Sequence, residues 1–544
     1  MNISNLSGIA PTDAVVNDVV IGIREPLAEI DSVPAENFLA GSPTGVAGID
    51  RAPGDMGPGS WDPLAEIDHM TVVAGCGCAA CQGFREADGG GKDVNPIDAN
   101  PEGNNIGVLL PLVTNPDGSR SFTGNRNIDA TLIGAKWGTL NLTYSFPTSG
   151  SNYNGSGYDT NGVSLYHVDL GTQQQAAARA SFAQLSAATG LTFTEITDTD
   201  TVHANIRISQ SGDQDVGSAY GNFPSDTRGL SGDIWFGRTS QPYYDLAFKG
   251  TWGYATMLHE IGHTMGLKHG HQDYTNSDLS FYFGGAPRFG TQSLTPDRDG
   301  QAWSLMTYTP APFTNSNFAG EKINQPQTYM QYDLAALQYM YGANYTTNAG
   351  DSVYTFSQTT GEMFINGVGQ GAPSGNKIFL TVWDGGGNDT IDASNYSNGI
   401  TIDLRPGEFS TFDQSQLANS LAYQGLTSLA PGNIAMSLLY NNDTRSLIEN
   451  ATGGAGNDIF VGNVANNVLD GGAGSDTVIF TGVTGVNVTL NDTGADVIVT
   501  HDGETDTLRS IENIQGTIAN DVLVGNSQNN TLSGGAGGAD TLSG

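Results

Sequence analysis

Residues 256–271 read TMLHEIGHTMGLKHGH and contain four of the chain's eight histidines. Leu258, Ile261 and Met265 recur at helical spacing, which indicates an apolar stripe. The glycine at position 266 is suited to end a helix, because glycine readily adopts the left-handed conformation found there. This stretch therefore predicts a buried helix that carries histidines and ends at Gly266.

The histidines of this stretch have the spacing of metal ligands. His259 and His263 lie four residues apart, so both imidazoles project from one face of the predicted helix. The chain can turn back after the glycine and bring His269 to a third corner. Three nitrogen ligands and an open position are typical of catalytic zinc, which lowers the pKa of water to about 7. Glu260 would act as general base toward that water and then as general acid toward a leaving amine.

The segment HEIGHTMGLKH resembles the metzincin zinc-protease signature, H-E-x-x-H-x-x-G-x-x-H, at every specified position. SLMTY at 304–308 looks like the Met-turn of the serralysin group within that family. The resemblance implies that Met306 lies beneath the metal. It also implies that Tyr308 is a fifth, displaceable zinc ligand, which swings away and hydrogen-bonds the oxyanion of the intermediate. A methionine and a tyrosine two residues apart also occur simply packed in a core.

Two details extend and qualify this resemblance, which covers about residues 119–480. The family usually has proline after the third histidine, whereas this chain has HGH, so we expect His271 to be a supporting or surface group and not a ligand. SAYGNFP at 218–224 corresponds to the edge strand along which serralysins align an extended peptide. An ordinary edge strand would have the same sequence pattern.

The C-terminal third repeats with a period of nine residues. GGAGNDIFV begins at 453, GNVANNVLD at 462 and GGAGSDTVI at 471, and a second array begins at 516. Each unit has glycines for a turn, Asp or Asn at its sixth position and a large apolar residue at its eighth. The pattern predicts a parallel β-roll that binds calcium between turns. Its inward-facing residues would be Phe460, Leu469, Val478, Leu523 and Leu532.

The same resemblance implies individual calcium ligands in WDGGGND at 383–389 and IENATGGAGND at 448–458, with one more aspartate in the following repeat. They are Asp384, Gly386, Gly387, Asp389, Glu449, Gly454, Gly456, Asp458 and Asp476. Asn467 and Asn530 replace the usual aspartate, and one residue is inserted before Asp540, so we do not expect well-formed sites there. The implied cofactors are one catalytic zinc ion and several structural calcium ions.

The remaining pattern predicts the architecture. Strand-like runs such as LNLTYSF and ANIRISQ surround a helical stretch at 171–190. We therefore expect an α+β metzincin catalytic domain at 119–345, with a mixed twisted sheet and long helices. An all-β parallel β-roll of nonapeptide repeats follows at 346–544. Because the chain stops inside a repeat, we expect the native chain to continue beyond Gly544.

Residues 1–118 are rich in Pro, Gly, Asp and Ala. This composition predicts a weakly structured, propeptide-like segment. The three cysteines, Cys76, Cys78 and Cys81, all lie within it, so no disulfide framework stabilises the rest of the chain. One thiolate could occupy the open zinc position until the segment is cleaved off. Free thiols, or a separate small metal clip, are the alternatives.

Composition excludes several classes of protein. Lys plus Arg total 20 against 56 Asp plus Glu, and the resulting net charge of -36 repels nucleic acid and anionic membranes. The sequence contains no run of eighteen apolar residues, so it predicts no membrane span. Its N-terminus lacks the features of a Sec signal. With the family resemblance, this implies export by type I secretion machinery and calcium-dependent folding outside the cell.

These observations predict a secreted, monomeric zinc endopeptidase that is made as a latent precursor and acts on proteins and peptides. The alternative is a calcium-dependent surface or matrix protein whose protease domain serves mainly self-processing. Casein cleavage that is lost in Glu260→Ala would favour the endopeptidase. Calcium-dependent assembly that survives the same substitution would favour the matrix protein.

Overall fold

A computed structural model of the chain describes residues 107–116, 120–153, 163–199, 201–213, 216–224, 231–238, 244–272, 292–309, 324–419 and 428–544. The three cysteines, Cys76, Cys78 and Cys81, lie outside the described residues. Strand pairing is already present at Gly107, earlier than the boundary near 118 that composition suggested. The domain boundary itself stays a prediction.

The longest helices are those that the apolar periodicity predicted. Among the described residues the α-helices are α1 (Arg126–Asp129), α2 (Thr172–Ala188), α3 (Trp252–Met265) and α4 (Gln331–Tyr341). Short 3-10 helices span Gly150–Tyr153, Val163–Tyr166, Gln414–Gln416, Tyr440–Asn442 and Thr444–Ser446. Within the ranges given above, no helix is long and apolar enough to cross a membrane.

Helix α3 is buried along its whole length. It begins after Thr251, whose hydroxyl accepts a hydrogen bond from the backbone N–H of Tyr254 at 3.3 Å. It ends at Gly266, which has a φ of 104°, a left-handed conformation that glycine adopts without strain. The predicted helix end is thus confirmed, as is the burial of the apolar stripe on this helix.

The first part of the chain contains a mixed sheet. Its strands and the shorter pairs beside it are β1 (Gly107–Leu109), β2 (Val113–Thr114), β3 (Arg120–Ser121), β4 (Ala135–Trp137), β5 (Asn141–Ser145), β6 (His167–Val168), β7 (Thr192–Glu195), β8 (Ile206–Ser211), β9 (Ala219–Gly221) and β10 (Asp233–Gly237). The sheet order is β7-β5-β8-β10-β9, with β6 also paired to β8. Strands β7, β5, β8 and β10 run parallel, whereas β9 is antiparallel at one end of this order.

Helices α2 and α3 pack together over this sheet and share its apolar core. Strand β9 approaches α3 closely. A Cβ on Gly221 would lie well inside van der Waals contact of the Glu260 carbonyl oxygen, so only glycine lets this strand lie against the helix. The sheet edge is therefore placed directly beside the glutamate of the histidine-rich segment.

The rest of the chain is rich in short strands. They are β11 (Val353–Phe356), β12 (Met363–Ile365), β13 (Val368–Gly369), β14 (Leu380–Val382), β15 (Thr390–Asp392), β16 (Thr401–Asp403), β17 (Phe409–Ser410), β18 (Ile434–Met436), β19 (Asn450–Thr452), β20 (Ile459–Val461), β21 (Val468–Asp470), β22 (Thr477–Ile479), β23 (Asn487–Thr489), β24 (Val497–His501), β25 (Glu504–Arg509), β26 (Asn513–Gln515), β27 (Val522–Val524), β28 (Leu532–Ser533) and β29 (Thr541–Ser543). We call residues 346–544 the repeat region.

Consecutive nonapeptides of the repeat region alternate between two sheets. In one sheet β15, β19, β21 and β25 are parallel neighbours, and in the other β16, β20, β22, β26 and β28 are. Ala451 accordingly pairs with Leu469, two nine-residue repeats further on. A third stack joins β23, β27 and β29.

The eighth-position side chains form the core of the repeat region. Phe460, Leu469, Val478 and Leu523 are all buried, as the nine-residue period predicted. Leu532 packs against the same core but stays partly exposed. These side chains recur on one side of successive parallel strands, so each turn covers the apolar residue of its neighbour.

Candidate metal centre

Three histidines converge at the end of α3. His259 and His263 lie one turn apart on this helix, and the turn after Gly266 returns His269 to them. The Nε2 atom of His269 lies 3.1 Å from the Nε2 of His259 and 3.1 Å from that of His263. All three side chains are buried. The structure thus brings together the three residues that the sequence suggested as zinc ligands.

The other nitrogen of each ring faces an oxygen acceptor. The Nδ1 distances are 3.1 Å from His259 to the carbonyl oxygen of Leu305, 2.7 Å from His263 to that of Leu267, and 3.2 Å from His269 to Oε1 of Gln272. Each Nδ1 therefore carries the proton, and the three Nε2 lone pairs point toward one another. Lone pairs this close repel one another unless a cation lies between them, so the donor set fits zinc.

Burial keeps these imidazoles in the neutral form that binds metals. It lowers the pKa of His259 to about 4. It also holds the pKa of His263 and of His269 well below the ordinary value, and the neighbouring histidines lower both further. A neutral imidazole with a fixed tautomer is the usual state of a histidine ligand.

Glu260 lies within this buried environment. Its Oε2 has no hydrogen-bond partner within the described part of the chain. Burial raises the pKa of Glu260 to about 8, although a hydrogen bond from the backbone N–H of Gly221 acts in the opposite direction. A buried carboxylate oxygen without a protein donor can accept a proton or a hydrogen bond from water.

Met306 packs directly beneath the histidine-bearing helix. It is fully buried, and a Cβ on Gly262 would lie 2.9 Å from its Sδ atom. Because Gly262 has no side chain, the sulfur can approach the helix turn that carries His259 and His263. The role of Met306 as the Met-turn residue stays a prediction.

Asp333 on α4 holds the turn before Met306, and sequence reasoning did not identify it. Its carboxylate accepts hydrogen bonds from the hydroxyl of Ser304 (2.6 Å) and from the backbone N–H groups of Leu305 (2.6 Å) and Met330 (3.0 Å). Burial raises the pKa of Asp333 to about 6. An aspartate inside the apolar stretch YDLAALQYMY was the available signal, since a buried carboxylate needs donors.

Tyr308 and His271 stack against the histidine cluster. The Tyr308 ring lies 4.4 Å from that of His269 and 5.8 Å from that of His259, measured between ring centroids. The His271 ring lies 4.7 Å from that of Tyr308. Burial and, to a lesser extent, the nearby charge of Lys268 lower the pKa of His271 to about 3. His271 therefore contacts the proposed ligands while lying outside the group of three converging nitrogens.

The predicted calcium ligands lie close to the ends of strands of the repeat region. Asp384 and Asp389 are buried close to Glu449, whose Oε2 accepts the backbone N–H of Asp389 at 2.7 Å. Oδ2 of Asp389 has no hydrogen-bond partner among the described residues. Burial and the nearby charge of Asp384 raise the pKa of Asp389 to about 8. Carboxylates this crowded fit a bound hard cation.

The glycines predicted to contribute carbonyl ligands form the turns. Gly386 donates its N–H to Asp384 at 2.7 Å, and Gly386 and Gly387 both have positive φ. Gly454 donates its N–H to Asp458 at 2.7 Å. A Cβ on Gly454 or Gly456 would overlap the backbone of the adjacent turn.

A second series of carboxylates runs along the other sheet. The backbone N–H of Asp458 donates to Asp476 at 2.7 Å, and that of Asp476 donates to Glu512 at 2.8 Å. Oδ2 of Asp476 has no partner within the described ranges, and burial raises its pKa to about 7. Sequence reasoning missed Glu512, although IEN at 511–513 repeats the IEN that contains Glu449.

The irregular repeats behave in two ways. Asn467 and Asn530 each donate their side-chain N–H to a backbone carbonyl at 2.8 Å, namely those of Glu449 and Glu512. At each of these two positions, the asparagine side-chain amide thus donates a hydrogen bond to the glutamate carbonyl oxygen that faces the turn. Asp540, by contrast, accepts the backbone N–H of Asp521 at 3.0 Å despite the inserted residue.

Comparison with known proteins gives the family. Residues 343–533 match the family described as Peptidase M10 serralysin C terminal. Metallopeptidase AprA of Pseudomonas marginalis is 34% identical over 356 residues, which cover 64% of this chain and 63% of that protein. Serralysin G of Dickeya chrysanthemi is 32% identical over 302 residues, 55% of this chain and 54% of that protein.

A third relative is covered to a greater extent. Metalloprotease AprA of Pseudomonas entomophila is 32% identical over 368 residues, which cover 65% of this chain and 67% of that protein. The chain spans less than two thirds of the length of the first two relatives. On this similarity, and on a C-terminal family match that covers most of the repeat region, the chain belongs to the serralysin-type metalloproteases.

Proposed function

We propose that this protein is a secreted zinc metalloendopeptidase that hydrolyses peptide bonds in proteins. The observation that carries the proposal is the convergence of the Nε2 atoms of three histidines, with the buried carboxylate of Glu260 on the same helix. The names of the relatives, serralysin and metalloprotease, support it. When bound by His259, His263 and His269, zinc supplies a Lewis acid that polarises a carbonyl and acidifies water.

Three groups around this site have separate roles in the proposed reaction. Glu260 takes a proton from the attacking water through Oε2 and passes it to the leaving amine. The Gly221 N–H keeps the carboxylate oriented by binding it from β9. Tyr308, whose ring packs at an angle against that of His269, is the group that donates a hydrogen bond to the oxyanion.

Strand β9 is the proposed substrate platform. It pairs with β10 on one side, and no described strand pairs with its other side. An extended peptide added along β9 would run past Gly221, which lies against the backbone of Glu260. Main-chain hydrogen bonds of this kind give affinity with little sequence preference.

The repeat region is the proposed calcium-loaded β-roll. Its crowded carboxylates include two oxygens, on Asp389 and Asp476, that lack partners among the described residues. Calcium ions would neutralise this charge and order the turns once the chain has left the cell by type I export. We further propose a monomer, made as a precursor that residues 1–118 keep latent.

Substitution of Glu260 tests the activity. Glu260→Gln keeps the size of the side chain but removes the base, so casein cleavage falls at least about a hundredfold. Zinc content, measured by mass spectrometry, stays at one equivalent. Undiminished cleavage would refute the proposed role of Glu260. Calcium-dependent self-assembly without any proteolysis would instead favour a matrix protein.

Latency is tested separately. Replacing Cys76, Cys78 and Cys81 with serine yields an active precursor if a thiolate blocks the metal. A precursor that stays latent after this replacement would show that the segment inhibits by another route.

A further inference from the structure

A second group of side chains of the types that bind metals, His501, Glu504 and Asp506, lies on the hairpin of β24 and β25. Asp502 and Gly503 form its two-residue turn, and their φ values of 45° and 94° are typical of a type I′ turn. The turn places His501 directly opposite Glu504. Asp506 lies two residues further along the strand and therefore on the same face as Glu504. We call His501, Asp502, Glu504 and Asp506 the hairpin cluster.

One nitrogen of His501 is held by a fixed carboxylate. Its Nε2 lies 3.0 Å from Oδ2 of Asp506. The other oxygen of Asp506 accepts the backbone N–H of Asn467 at 2.9 Å, and the Asp506 side chain is only 3% exposed. A carboxylate that fixes one ring nitrogen sets the tautomer and orientation of a metal-binding histidine.

The opposite nitrogen of His501 faces oxygen donors. Its Nδ1 has no hydrogen-bond partner among the described residues, although the His501 side chain is only 5% exposed. Nδ1 lies 3.2 Å from Oε1 of Glu504 and 3.7 Å from Oδ2 of Asp502. Neighbouring ligand atoms are about 3 to 3.6 Å apart when metal bonds are about 2.0–2.2 Å long. The distance from Nδ1 to Glu504 therefore lies within this range, and the distance from Nδ1 to Asp502 is slightly longer.

Charge and burial also favour a cation here. Three carboxylates surround one imidazole, and the ring of Phe480 covers that imidazole edge-on at a centroid distance of 5.0 Å. Excess negative charge that is largely withdrawn from water requires compensation. Because one donor is a ring nitrogen, a transition metal fits better than calcium, which prefers oxygen ligands only.

We propose that the hairpin cluster binds one divalent transition-metal ion through Nδ1 of His501 and the carboxylates of Glu504 and Asp502. Asp506 is the positioning residue, since it orients the imidazole from the other side. Asp502 also accepts the backbone N–H groups of Val483 and Thr484, each at 3.0 Å. The bound ion would thereby tie the hairpin to the loop before β23.

Cobalt(II) is the probe, because its visible absorption reports nitrogen and oxygen ligands. The full-length, calcium-saturated chain, with its three cysteines replaced by serine, is titrated with cobalt alone, and two equivalents are expected. His263→Ala removes the equivalent at α3 and leaves the one at the hairpin cluster. His501→Gln and Glu504→Gln each leave the cobalt ion at α3 in place. They lower the affinity for the cobalt ion at the hairpin cluster at least tenfold. The assignment of the two equivalents is thus independent of peptidase activity.

His203→Gln is the matched control, because Asp198 is the one carboxylate that pairs with Nδ1 of His203 among the described residues, at 2.8 Å. This variant keeps both equivalents. Glu504→Gln, at the end of the turn, serves if His501→Gln does not fold. The proposal is overturned if Glu504→Gln and His501→Gln still bind two equivalents. It is equally overturned if the wild-type chain binds only the equivalent that His263→Ala removes, since His501 is then simply an imidazolium between carboxylates.

Discussion

Nδ1 of His271 accepts a hydrogen bond from the backbone N–H of Tyr308 at 3.2 Å. The two rings also pack at 4.7 Å, and Tyr308 in turn lies on the ring of His269. We therefore propose that His271 acts on Tyr308 through contact and not through the metal. On this proposal, the histidine that ends HGH, a sequence that departs from the family pattern, positions Tyr308.

We predict that His271→Ala lowers kcat about tenfold and leaves KM and zinc content nearly unchanged. The substitution removes the acceptor for the Tyr308 N–H and one face of its packing, while the three nitrogen donors stay in place. His271→Asn, whose Oδ1 can replace Nδ1 as an acceptor, should recover part of the rate. Equal loss of kcat in both variants would argue against the hydrogen bond as the cause.

Loss of Asp333 should destabilise the turn that carries Met306. Asp333→Ala leaves the Ser304 hydroxyl and the N–H groups of Leu305 and Met330 without their acceptor. Buried donors without partners cost about 1–3 kcal/mol each, so we expect the free energy of unfolding to fall by about 3 kcal/mol or more. Zinc affinity should fall as well, because the Leu305 carbonyl orients His259.

Denaturant unfolding and zinc titration check this prediction. Asp297→Ala is the control, because the Asp297 side chain is 72% exposed. A variant of Asp333 that is as stable as this control would show that the turn is held by other contacts.

A methyl group at position 221 should impair catalysis without removing the metal. In Gly221→Ala the new Cβ meets the Glu260 carbonyl, so β9 must move away from α3. This movement shifts the hydrogen bond from the backbone N–H of residue 221 to the Glu260 carboxylate. It also shifts β9 as the proposed substrate platform. We expect kcat/KM for peptide cleavage to fall about 10- to 100-fold at unchanged zinc content.

Gly217→Ala is a matched control, since a Cβ at that position meets nothing within 4 Å. Its activity should equal that of the wild type. Full activity of Gly221→Ala would mean that the strand adapts without affecting the glutamate.

Calcium removal should unfold the repeat region. At constant free zinc, chelation of calcium leaves the buried carboxylates of Asp389 and Asp476 uncompensated, so the thermal midpoint of this region falls. Asp476→Asn should raise the calcium concentration needed for folding about tenfold. Asp496→Asn, which alters an exposed ion-pair partner of Arg509, should leave the calcium concentration needed for folding unchanged. Circular dichroism during calcium titration distinguishes the two variants.

Local spacing was sufficient to predict several features. The i, i+4 histidines, the glycine that ends α3 and the nine-residue period are set by helix and strand geometry, and each can be recognised within a short window. The burial of Phe460, Leu469, Val478 and Leu523 followed from that period. Serralysin resemblance added the candidate roles of Met306 and Tyr308, which spacing alone does not suggest.

Only the tertiary structure showed the contacts made by residues distant in sequence. Asp333 reaches the Met306 turn, Gly221 lies against Glu260, and Glu512 joins the carboxylates because parallel strands two repeats apart are neighbours. The hairpin cluster likewise depends on a type I′ turn that sets His501 opposite Glu504. The spacing of residues along the sequence determines which face of a helix or strand a side chain occupies. The residue that it contacts on a neighbouring element depends on how whole elements pack.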